Sequence, residues 1–299
     1  MIGSAERQLI ATQNPDGGWG PHAGRTSATE ATALVTLALG HLDGAAARAS
    51  AARGLRWLTA HQLADGGWPV NTRVDDASWV TALAVLATDT MRADTAAIAG
   101  GRWLMRDVPR TLGLLASVLH RFAPAAQTVR LDPDLKGWSW TLGATSFVEP
   151  TCYALLALQR LRRHGESPAA TRRIAEAERM VYDRMCPDGG WNYGNSTVFG
   201  VDLPPFADVT ALALFALSHY SMREENQRSL RRLRAMLQHV DSGLSLAWAA
   251  LCFAAYGEDA AVWRRRVADR YGRTAFLGDT KVLALALLAL TQGAEALRA

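Results

Sequence analysis

The amino-acid sequence predicts an all-α protein built from alternating inner and outer helices, and three observations carry that prediction. A turn of the form Asp-Gly-Gly-Trp recurs as "QNPDGGWG" (13–20), "QLADGGWP" (62–69) and "MCPDGGWNYG" (185–194), with "KGWSW" (136–140) as a diverged member. Each turn is followed by a loop and then by an alanine- and leucine-rich segment that is apolar nearly all round. Such segments are expected to be buried on both sides. Between them lie amphipathic, arginine-bearing segments whose apolar residues recur at helical spacing. No stretch shows the period-two alternation of a half-buried strand.

In chain order, the predicted inner helices are "ATEATALVTLAL", "DDASWVTALAVLA", "VEPTCYALLAL" and "ADVTALALFAL". "SGLSLAWAALCFAAYG" and "GDTKVLALALLAL" continue the series without a preceding Asp-Gly-Gly-Trp turn. The predicted outer helices include "ASAARGLRWLTAHQ", "AATRRIAEAERMVYDRM", "NQRSLRRLRAMLQH" and "AVWRRRVADRYG", with their charges facing water. In the turn itself, the glycines accept positive φ and the Asp side chain bonds nearby backbone amides. The Trp is expected to fold back onto the preceding helix as a staple between repeats.

The bulk numbers agree with one large domain spanning 1–299. Hydrophobic residues make up 49% and charged residues 20%, enough apolar surface for a sizeable core. The net charge is only +4, and no basic run carries interleaved aromatics, so nucleic acid is not expected as a partner. Cys152, Cys186 and Cys252 have no Cys-x-x-Cys spacing, which fits a reducing compartment rather than a disulfide framework. The segment "MIGSAERQLIATQ" lacks the apolar core of a signal peptide, and "VLALALLAL" is too short to cross a bilayer. The expected location is the cytoplasm.

"RGLRWLTAHQLADGGW" (53–68) resembles the QW motif of squalene–hopene and oxidosqualene cyclases: a basic residue and glycine, an aromatic or leucine, a Gln, then Gly-x-Trp. The resemblance runs from Gln13 to about Leu290. It extends more loosely to class II terpene cyclases and protein prenyltransferase β subunits. It implies an α/α toroid, a barrel of inner and outer helices whose inner helices point one end into a central cavity. The order "GWSW", "FVEPTC", "PDGGW", "ADVTAL" is similar to the catalytic half of a squalene–hopene cyclase. By that resemblance the proton-donating Asp of the family falls on Glu149, and its two flanking acid positions fall on Phe147 and Pro150. The Asp of the second helix falls on Asp208, and its histidine falls on Leu212. "TRVDDASW" has Arg73 where a displaced acid motif would begin, and it lies in a different repeat.

The implied activity is acid-initiated, metal-independent cyclisation or isomerisation of a hydrophobic isoprenoid, with Glu149 as donor, Asp208 assisting and no cofactor. Such chemistry needs a carboxyl that is neutral at rest, which burial favours, and that releases its proton when its conjugate base is hydrogen-bonded. The plainer assignment makes both residues ordinary helix starts. Acidic side chains are favoured in the first turn, Pro150 is a favoured starting residue, and Asp208 reads as an N-cap. Glu30 and Asp279 sit similarly in other repeats. Trp79, Trp138, Trp140, Phe147, Trp191, Tyr193, Phe206 and Trp248 fall in inner helices or the loops before them. There they would line a pocket and stabilise a carbocation by about 0.5–2 kcal/mol each when desolvated.

Two other assignments compete. A prenyltransferase zinc site would need an Asp, a Cys and a His. Cys152-Tyr153 matches the Cys-Tyr of that site, but His41, His120 and His219 fall near helix ends and His22 in a loop. The class I Asp-Asp-x-x-Asp motif is absent, since "DDASW" breaks after two. A non-catalytic toroid that binds a terpenoid or a partner is the other alternative. A full hopene cyclase carries a second barrel, for which 299 residues leave no room. The pocket is therefore expected to be open, small, or completed by another chain or a membrane surface.

Overall fold

A computed structural model describes residues 1–107 and 131–298; His120 lies outside the described residues. Among the described residues, the inner helices are α2 (Thr29–Gly40), α4 (Thr81–Thr90), α6 (Val148–Leu161), α8 (Ala207–Ala216), α10 (Gly243–Ala255) and α12 (Thr280–Leu290). The outer helices are α1 (Ile2–Ala11), α3 (Ala45–Ala60), α5 (Asp94–Arg106), α7 (Pro168–Asp183), α9 (Glu224–Met236) and α11 (Ala261–Thr274). Inner and outer helices alternate without exception among the described residues. Two outer helices, α1 and α5, had not been picked out from the sequence. α4 also begins later than its pattern suggested, because "DDAS" stays in the loop and Trp79 precedes the helix.

The inner helices pack in a ring, α2 on α4, α4 on α6, and so on to α12, which returns to α2. Each packs most closely on one outer helix, with α1 serving as the main outer partner of α12. This is an α/α toroid. The first-turn amides tie the helix starts into a rim at one end of the ring. Thr29 N–H donates to Val70 O, Val148 N–H to Tyr193 O, and Thr280 N–H to Pro21 O, the last joining the end of the chain to its beginning. At the opposite end, the short helix Gly293–Ala296 covers the ring. There Arg160 donates to the carbonyls of Glu295 and Arg298.

The tryptophan turns form as staples. The indole N–H of Trp19, Trp68, Trp138 and Trp191 donates to Leu9 O, Leu58 O, Leu104 O and Val181 O, at 2.6–3.0 Å. All four rings are buried. The backbone N–H of each Trp donates to a threonine in the following inner helix: Thr32, Thr81, Thr151 and Thr210. That threonine stands 13 residues after the Trp in three copies and 19 in the last. The longer loop carries a two-residue antiparallel pair, Thr197–Val198 with Val201–Asp202, which corrects the expectation of no strand. Asp16 and Asp65 each accept from the glycine amide two residues on and from the indole of Trp57 or Trp103. Gly66 sits at φ +94°, and a Cβ on it would meet Ala99 O at 2.6 Å, so no other residue fits this bend.

Candidate functional site

The threonine staples set a common register for four inner helices. Two residues before each staple threonine stand Glu30, Trp79, Glu149 and Asp208. One side chain from each of four repeats is thereby brought to the same level of the rim. Lys281, in the first turn of α12, meets them there. Its Nζ lies 2.8 Å from Glu30 Oε1 and 3.3 Å from Glu149 Oε1. α6 and α12 are third and sixth in the ring, so the Lys281–Glu149 pair spans the mouth from side to side.

Glu149 is therefore more than a helix start. The N-cap of α6 is Phe147, no side chain caps the helix, and the Glu149 carboxylate turns to Lys281 instead. Burial pushes the Glu149 carboxyl above the ordinary glutamate range. Lys281 pulls it down, while Glu30 and Asp208 push it further up. On Lys281, burial works against the ammonium, but Tyr153, Glu30 and Glu149 outweigh it and hold the group well above the usual lysine range. The trio thus keeps a fixed positive charge beside a carboxyl inclined to hold its proton.

The N-cap assignment of Asp208 is corrected. The N-cap of α8 is Phe206, and Asp208 accepts instead from Tyr193 Oη at 2.7 Å. Asp279 does cap its helix, accepting from Val282 N–H at 2.9 Å. Asp208 acts on Glu149 through its charge, with no hydrogen bond between them.

The aromatics divide into three groups. Trp79, Trp140 and Trp248 come together inside the ring. Trp79 meets Trp140 edge-on at 4.8 Å and Tyr153 at 5.8 Å, and Tyr153 meets Trp248 at 6.1 Å. Phe215 closes the chain against Trp248 at 5.8 Å. Because α8 separates α6 from α10, the Tyr153–Trp248 contact crosses the lumen. Tyr153, Phe215 and Trp248 are almost wholly inaccessible, so side chains fill the lumen at this level. Tyr193 and Phe206 pair at 5.6 Å on the exposed rim, and the half-buried Phe147 lies beside Gly194 and bridges to Trp138. Trp138 and Trp191 are corrected: both rings are wall staples, and Arg173 stacks on Trp138 at 3.7 Å.

Lys281, Glu30 and Tyr153 were missed as site residues. One signal was available: the chain has only two lysines among 32 basic residues. One of them sits in the first turn of an apolar inner helix, where the helix dipole disfavours a cation. The partner 132 residues away had no signal at all.

Among the described residues, no cluster of metal-ligating side chains forms around Cys152. The thiol is fully buried, and burial together with Glu149 pushes it up, away from the thiolate a metal requires. Among the described residues, the one cluster with metal-like spacing is Asp89, Asp94 and His164 at the opposite end of the ring. Arg160 and Arg163 already pair with Asp89 at 2.9 and 3.0 Å, which makes that cluster an ion-pair knot. A cleft of about 540 Å³ between α7 and α9, lined by Tyr182, Met185, Cys186 and Arg228 among others, contains none of the rim carboxylates. Among the described residues, no helix is long and apolar enough to cross a membrane.

No family model and no curated protein matches the chain. Solved structures do. A variant of the type II terpene cyclase MstE from Scytonema, in complex with geranylgeranyl dihydroxybenzoate (substrate), matches at 12% identity and a TM-score of 0.60. That match covers 99% of this chain and 97% of that one. Cellobiose 2-epimerase from Spirochaeta thermophila matches at 12% identity and a TM-score of 0.59, covering 98% of this chain and 97% of that one. An inactive variant of an alpha-1,6-mannanase of Salegentibacter sp., in complex with alpha-1,6-mannotriose, reaches a TM-score of 0.64 at 8% identity. It covers 99% of this chain and 100% of its own. At these identities the likeness shows the fold: this chain shares the α/α toroid of a terpene cyclase, a sugar epimerase and a mannanase.

Proposed function

We propose that this toroid belongs with the terpenoid cyclases and carries out acid-initiated, metal-independent cyclisation or isomerisation of an isoprenoid. The observation that carries the reading is the cross-mouth pair of Glu149 and Lys281. Burial favours the neutral carboxyl that donation needs, and its conjugate base needs a hydrogen-bond donor in place. Lys281 supplies that donor where the cyclase resemblance puts a histidine and this chain has Leu212.

In this reading Glu149 donates the proton to the substrate alkene, and Lys281 holds the carboxylate that results. Asp208 raises the donor through its charge and is itself held by Tyr193. Trp79 and Trp140, which meet edge-on near the helix starts, stabilise the developing cation. Three buried, free cysteines fit a reducing, cytoplasmic setting. The exposed Phe199 and Leu277, in loops leading to α8 and α12, fit a membrane surface or a second chain as the cover of the site.

A second reading is a toroid that binds a terpenoid or a partner without turning it over. The packing of the lumen favours it, because among the described residues Tyr153, Phe215 and Trp248 are almost wholly inaccessible one level below the acid. Product analysis by mass spectrometry separates the two. Purified protein is incubated without metal with squalene and with farnesyl and geranylgeranyl alcohols and diphosphates, beside Glu149→Gln. A cyclised or isomerised product that disappears in the variant supports the enzyme. Unchanged substrates with saturable binding support the binding toroid.

A further inference from the structure

One helical turn along α6 from the Glu149 end of the Lys281 bridge stands a residue whose polar atom has nothing to do. Tyr153 is fully buried, and its hydroxyl has no hydrogen-bond partner. A buried hydroxyl without a partner costs about 1–3 kcal/mol, so native structures seldom keep one without a purpose. Its placement is specific. Tyr153 stands four residues after Glu149 on α6, so both project from one face of the helix. Its ring is held on two sides, by Trp79 and by Trp248, which fixes it in the lumen. Lys281 is close enough for its charge to act on the Tyr153 hydroxyl.

We propose that Tyr153 and Lys281 form a binding site for an acceptor oxygen of the ligand, and that the ligand is an oxygen-bearing isoprenoid rather than a hydrocarbon. The inference rests on the isoprenoid reading above. Tyr153 donates its hydroxyl hydrogen to the ligand oxygen, and Lys281 donates a second hydrogen bond from above. The oxygen enters by parting the longer leg of the bridge, Lys281 to Glu149 at 3.3 Å, while the 2.8 Å leg to Glu30 holds the ammonium in place. A hydrocarbon end would instead leave the Tyr153 hydroxyl unpaired, a cost the chain would have to bear in the bound as well as the free state.

The test compares farnesol with farnesene, titrated into wild-type protein and Tyr153→Phe and followed by tryptophan fluorescence. Farnesol is expected to bind wild type roughly tenfold tighter than farnesene, the equivalent of one net hydrogen bond. Tyr153→Phe should bring the two ligands to about the same affinity by weakening farnesol alone. Equal binding of both ligands by wild type would overturn the oxygen site while leaving the isoprenoid reading standing. Binding of neither would overturn this inference, while the isoprenoid reading would still be decided by squalene and the C20 compounds above. A ligand-free control is independent of both: the urea midpoint of Tyr153→Phe should be unchanged or higher. A lower midpoint would mean that the hydroxyl is already paired in the free protein, and the proposal would fail.

Discussion

Replacing Lys281 with methionine removes the cation from a site that holds two carboxylates. At an effective dielectric constant of about 20, each leg of the bridge is worth roughly 5–6 kcal/mol of gross attraction at 2.8–3.3 Å. The desolvation of the ammonium offsets several kcal/mol of that. Stranding buried charge by removing one partner costs about 3–5 kcal/mol, and here partial exposure lowers the figure. The side chains of Lys281 and Glu30 are 23% and 30% exposed, so a loss of about 2–3 kcal/mol is expected near pH 8. The loss should shrink at pH 5, because Glu149, with its raised carboxyl, escapes by taking up a proton. Urea denaturation of both proteins at the two pH values measures this. The double variant with Glu149→Gln should recover about 1–2 kcal/mol at pH 8, since the stranded charge is gone. Equal stability of Lys281→Met and wild type at pH 8, or an identical loss at both pH values, would refute the electrostatic account of the site.

The Glu149 carboxyl is raised on folding, so the native state holds its proton more tightly than the unfolded chain. Its contribution to stability is fully present below the ordinary glutamate range and is lost as pH rises through the native value. Glu149→Gln should therefore flatten the fall in stability across that window and be at least as stable as wild type above it, as a series of urea melts would show. Trp68→Phe removes the indole hydrogen bond to the Leu58 carbonyl, which keeps only the His61 N–H, and loses part of a fully buried ring. It should cost about 2–4 kcal/mol by the same assay, from a lost buried hydrogen bond and a cavity together. A cost below about 0.5 kcal/mol would mean that the tryptophan turn is not a staple.

Much of the toroid could be read from local signals. The Asp-Gly-Gly-Trp turns announced bends that need positive φ, and the apolar segments after them announced helices with no solvent face. The diverged "KGWSW" copy was recognised as a turn, and Trp138 makes the same two hydrogen bonds as its relatives. What the local signals misassigned was the direction of rings. Trp138 and Trp191 had been counted with the pocket because they precede inner helices, yet an indole that reaches back to a carbonyl of the preceding outer helix cannot also face the lumen. Asp208 likewise resembled a cap by position, while its carboxylate is taken by Tyr193.

The sequence by itself determined the alternation of inner and outer helices, the staples, and the position of Glu149 at a helix start, because hydrophobic periodicity and turn chemistry act within about one repeat. It could not determine what Glu149 faces. That depends on closure of the ring, which sets α12 opposite α6 and brings Lys281 to a carboxylate 132 residues away. It also could not show that the lumen is filled, because whether Tyr153 and Trp248 meet across it depends on ring diameter and side-chain packing. Local propensity carries no information about either.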